Sequence, residues 1–78
     1  MANFSKNRIM NALEQKKLVV IETEKRNKVD QSVFHRCGYK WEDLSTGEVL
    51  TVPQVYSIIE KRYNEGCSSI NIGGIFLD

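Results

Sequence analysis

The spacing of hydrophobic and polar positions changes several times along the chain, and each change marks an element. From about Lys6 to Lys16, Ile9, Met10 and Leu13 recur on one side while Lys6, Asn7, Asn11, Glu14 and Gln15 take the other. That is the pattern of a surface helix with a narrow apolar stripe. Ser5 is its expected N-cap, with Phe4 before it and Ile9 inside it at the spacing of a hydrophobic staple. The period then shortens. Leu18 to Glu24 is rich in β-branched residues and predicts a strand. Its continuous apolar start places it inside a sheet, covered on both faces near Val19 and Val20. Lys25-Arg26-Asn27-Lys28 reads as a polar turn in which Asn27 suits left-handed backbone. The residues from there to Gln31 show no period and predict a mobile segment.

Alternation returns at Ser32. Val33, His35, Cys37, Tyr39 and Trp41 share one face of a single predicted strand; Phe34, Arg36, Gly38, Lys40 and Glu42 share the other. The first set is the more apolar and is assigned to the core, which leaves Phe34 outside. A turn follows around Ser45-Thr46-Gly47, with Gly47 supplying a positive φ. A three-residue loop would turn Leu50 outward, whereas a four-residue loop from Leu44 to Gly47 sets Leu50 opposite Trp41 and Val52 opposite Tyr39. The second register buries more apolar surface and is expected.

Pro53 opens a second helix, with Val55, Tyr56, Ile59 and Tyr63 at helical spacing and Gly66 as its stop. Lys61 and Arg62 complement its C-terminal dipole. Ile70 and Ile72 then alternate as in a strand, and Gly73-Gly74 marks a bend before the apolar Ile75-Phe76-Leu77. The predicted order is α-β-β-β-α-β over a single domain, residues 1–78: an α+β fold with a mostly antiparallel sheet and two helices packed on one face.

Composition alters this picture mainly through charge. The formal net charge is +1, but residues 1–40 carry nine Lys or Arg against four Asp or Glu, and residues 41–78 carry two against six. Opposite-sign halves hint at a partner, and together with the apolar strand Ile70 to Leu77 they favour a homo-oligomer, most simply a two-fold dimer in which one patch meets its own copy. No apolar run is long enough for a membrane span and no leader is visible, so the expectation is a cytoplasmic protein without membrane contact.

Candidate chemistry is sparse. His35 and Cys37 point the same way on a strand, and with Cys67 they offer three zinc ligands. A closed structural site needs four, and no Cys-x-x-Cys pair is present, so no metal or other cofactor is expected. The fragment from His35 to Glu42, with Gly66-Cys67-Ser68, resembles half of a zinc-ribbon or treble-clef knuckle. Residues two apart on a strand lie about 7 Å apart, too far for His35 to take a proton from Cys37 directly. There is no phosphate loop, and no enzyme is expected.

Two binding readings remain. Lys6, Arg8, Lys16, Lys17, Lys25, Arg26 and Lys28 crowd the first third of the chain and could track phosphates of a nucleic acid. The preferred reading is a small non-enzymatic module that regulates or inhibits a larger protein, in the manner of phage or mobile-element accessory proteins. Phe34, Tyr63, Ile75, Phe76 and Leu77 are its expected contacts, because large apolar side chains dominate protein interfaces.

Overall fold

The computed structural model describes residues 5–66 and 68–77. Among them are α1 (Lys6–Gln15), β1 (Leu18–Lys25), β2 (Lys28–Cys37), β3 (Lys40–Asp43), β4 (Val49–Leu50), α2 (Val52–Glu65), β5 (Ser68–Ile72) and β6 (Ile75–Leu77). The strands form one antiparallel sheet in the order β4-β3-β2-β1-β5-β6. This is the expected α+β class, with eight elements in the order α-β-β-β-β-α-β-β.

Tight turns account for the difference in strand count. Arg26 and Asn27 both have positive φ, 46° and 68°, and close the β1–β2 hairpin in two residues, the geometry of a type I′ turn. The right-handed twist of such a turn matches that of its strands, so pairing begins at once. The segment from Lys28 to Gln31 is therefore strand, paired residue for residue with β1, and not the mobile stretch its sequence suggests. Gly73 and Gly74 form a second two-residue hairpin, with φ of 56° and 102°. The tail is thus two strands paired in cis. Gly73 is required there: a Cβ would sit 2.6 Å from the Cβ of Lys16.

The decisive turn is Gly38-Tyr39. Gly38 has φ of 65°, as the first central residue of a type II′ turn does, and Cys37 pairs with Lys40 across it. The predicted single strand is consequently two, and the fold-back reverses which residues share a face. Phe34, Arg36 and Trp41 lie together on the inner face, and Val33, His35 and Cys37 lie on the outer one. Phe34 is only 2% exposed, and Tyr39, expected in the core, is 92% exposed at the hairpin tip. Trp41 opposes Leu50 as the register argument requires, and Asp43 N–H donates to Glu48 O to close a loop over Leu44–Gly47. Val52 does not continue that ladder, because it begins α2.

The helices cover the inner face. Ile9, Ala12 and Leu13 of α1 and Val55, Tyr56 and Ile59 of α2 join Val19, Ile21, Phe34, Trp41, Leu50, Ile70, Ile72 and Leu77 in one buried cluster. Ser5 caps α1, its hydroxyl accepting from Arg8 N–H, while Phe4 lies outside the described residues. At the other end α1 has no basic residue in its last turn, and Arg36 reaches in from β2. Its Nη1 donates to the carbonyls of Leu13 and Glu14, and its Nε donates to Gly38 O at 3.0 Å. The guanidinium thereby joins the helix C-terminus to the Gly38-Tyr39 hairpin. Gln54 Oε1 accepts from the Thr51 N–H at 2.8 Å, and Gly66, with φ of 79°, ends α2.

Candidate binding face of the sheet

Antiparallel pairing sends alternate residues to opposite faces, so the register assigns every side chain of the second face. Its residues are all exposed or half-buried; none is buried. Both helices lie on the other side, so β1 is covered by helices on one face only, and Val20, on the face without them, is half-buried and not enclosed as a two-faced interior strand would require. Only the inner half of that expectation, at Val19, is met.

One cross-strand row on this open face is almost wholly apolar. Phe76 pairs with Asn71, Asn71 with Val20, and Val20 with Val33. Leu44 extends the row, its N–H donating to Val33 O at 2.9 Å. The adjacent row runs Leu18, His35, Glu42, Val49. Phe76, Leu44 and Val49 are each more than half exposed. Neighbouring strands are about 4.8 Å apart, so these side chains form a ridge across the sheet, interrupted by Asn71 between Phe76 and Val20.

Charge is graded along the strands. On one side of the ridge lie Glu22 and Glu24, with Gln31 donating to Glu22 Oε2 at 3.3 Å. On the other lie His35 and Glu42, then Cys37 and Lys40, which pair at the end of β2, so that side holds charges of both signs. A shallow depression at that end brings His35 and Arg36 beside Lys17, Glu14 and Gln15.

The predicted contact residues separate on this map. Phe76 is on the open face and 60% exposed. Phe34 and Leu77 are core residues, and Ile75 and Tyr63 are half-buried and packed against the core. Val20, Val33, Leu44, Leu18 and Val49 were missed. The first two looked like core in sequence, and only strand pairing shows that nothing covers them.

The basic residues also divide. Lys16 and Lys17 precede β1, whereas Lys25, Arg26 and Lys28 surround its far turn. Eight strand residues separate the groups by about 26 Å. Lys6 lies at the opposite end of α1 from Lys16, its ammonium 5.7 Å from the centre of the Tyr56 ring. Burial, with the carboxylate of Glu60 beside it, raises the Tyr56 phenol above its ordinary pKa.

The Cys37 Sγ and His35 Nδ1 are 3.6 Å apart, within reach of a sulfur hydrogen bond. Their backbones are a two-residue step apart, but the exposed side chains lean together. Direct proton exchange between them is thus not excluded by distance, contrary to the estimate from strand spacing. Cys67 lies outside the described residues. Among the described residues no three His, Cys, Asp or Glu side chains gather as a metal site would require. No helix among them is long and apolar enough to cross a membrane. Set against known proteins, the chain matches no family model, no curated protein and no solved structure.

Proposed function

We propose that this chain is a non-enzymatic protein-binding module that regulates a larger protein by docking the open face of its sheet. The observation that supports this is the row Phe76–Asn71–Val20–Val33–Leu44, apolar except for Asn71, laid across strands that the helices leave uncovered. An uncovered apolar patch flanked by polar residues is the usual character of a protein contact surface. Glu22 and Glu24 on the same face select for basic groups on the partner at that end and repel phosphate. The same acids weigh against the nucleic-acid reading, as does the split of the basic residues into distant groups. A sheet that binds single-stranded RNA presents several stacked aromatics, and among the described strands this face has only Phe76 and His35, on strands three apart in the sheet.

The test uses the wild-type chain and a Val20→Lys/Val33→Lys variant, each immobilised in lysate of the source cells. A specific partner retained by the wild type is then purified and titrated against both. Binding should fall by about a hundredfold in the variant, the scale of losing central apolar anchors. Equal affinity of the two chains for that partner would place the docking surface elsewhere.

A further inference from the structure

We infer that Cys37 is a thiol modification site, with His35 as its base, which takes up one half of an anionic low-molecular-weight disulfide. The inference needs no partner protein and stands apart from the docking reading. It starts from two side chains. Cys37 Sγ and His35 Nδ1 lie 3.6 Å apart on the open face, and both residues are exposed. Cys37 is the last residue of β2, and its thiol is free. A thiol attacks as its thiolate, and a base within hydrogen-bond reach of the sulfur is the arrangement that generates one.

The surroundings select the reagent. A depression of about 510 Å³ adjoins the pair, lined by Glu14, Gln15, Lys17, His35, Arg36 and Gly38. Its volume is that of a small-molecule site, about 300–1,000 Å³. His35 belongs to both pair and depression, and Gly38 follows Cys37 directly, so a group bonded to Sγ is within reach of the depression. Arg36 uses Nη1 and Nε within the protein, while its Nη2 has no partner among the described residues. Lys17, Arg36 and Lys40, which pairs with Cys37 across the hairpin, stand against the carboxylates of Glu14 and Glu42. Glu42 opposes His35 and balances the imidazolium formed in the step, which leaves the cations for carboxylates of the reagent. A disulfide of the glutathione type, a small peptide carrying several carboxylates, is the class that fits.

The step balances without a further reactant. His35 Nδ1, in the tautomer protonated on Nε2, takes the thiol proton. The Cys37 thiolate bonds to one sulfur of the disulfide as the S–S bond of the reagent breaks. The leaving thiolate recovers the proton from His35 and departs as a thiol. The Cys37 sulfur is thereby oxidised to a mixed disulfide and one sulfur of the reagent is reduced.

The test incubates the whole chain with glutathione disulfide or with cystamine, a cationic disulfide, and follows the rate and position of the adduct by mass spectrometry of the chain and its peptides. One adduct is expected on Cys37, formed about tenfold or more faster than in the urea-unfolded chain. Glutathione disulfide should react faster than cystamine, and Lys40→Glu should reverse that preference. His35→Gln should slow the reaction by about tenfold and keep the thermal melt of the wild type. An adduct confined to Cys67, a folded rate no higher than the unfolded one, or His35→Gln reacting as fast as the wild type each overturns the inference. A preference of the wild type for cystamine overturns the anionic class and the part given to the depression.

Discussion

Phe34 shows how much one turn residue controls. Gly38 folds the chain back two residues after Arg36, and that fold-back puts Phe34 and Trp41 on one face, both buried. Phe34→Ala should therefore act on folding, costing about 3–5 kcal/mol in urea denaturation, the usual cost of emptying a buried aromatic site. A variant with unchanged stability would restore Phe34 to the surface. Asp43 illustrates a polar residue whose value is local. Partial burial pulls its carboxyl upward, but hydrogen bonds from the Ser45 hydroxyl and backbone and from Thr46 outweigh that and hold its pKa below the ordinary carboxylate value. A carboxylate depressed in the folded state contributes stability above its unfolded pKa, and the contribution is lost as pH falls through the folded value. Thermal melts of the wild type should lose stability more steeply below about pH 4 than those of Asp43→Asn. Parallel acid limbs in the two proteins would deny Asp43 this role.

At the scale of elements, α1 and the β2–β3 hairpin depend on one side chain. The last turn of α1 has orphan carbonyls and no basic residue of its own. Arg36 serves two of them and also binds the Gly38 carbonyl, so helix and hairpin are held as a unit. Arg36→Ala should cost about 1.5–3 kcal/mol, the range for hydrogen bonds to a charged donor. Hydrogen exchange should then speed up at both the C-terminus of α1 and the Gly38 turn. Faster exchange in only one of them would show that the guanidinium does not couple the two.

For the whole molecule, the arrangement of charge matters more than its total. The basic residues counted together in the sequence occupy separated ends of β1 and α1, and acids occupy the open face between them. Binding to random duplex DNA should accordingly be weak, with a log–log salt slope shallower than the roughly −0.9 per phosphate that a seven-residue track would add up to. Micromolar binding with a steep slope, abolished by reversing Lys16 and Lys17 or Lys25 and Lys28, would favour a nucleic-acid interface instead.

Local chemistry is legible in the sequence wherever one residue decides it. Ser5 as a cap, Gly66 as a stop, Asn27 in left-handed backbone and the helical spacing from Val55 to Tyr63 depend on neighbours a few positions away, and they stand as read. So does the Trp41–Leu50 register, because both residues are apolar and only one loop length buries both. Which face of β2 is inside was not legible. Val33 and Phe34 are both apolar, and the choice between them rests on whether the chain turns at Gly38, a turn that a β-rich run conceals. The open face was hidden for the same reason: Val20 and Val33 have core composition, and only the placement of both helices on the opposite side leaves them uncovered. Burial is a property of what lies across the sheet, and in this fold what lies across is set by residues far away in the chain.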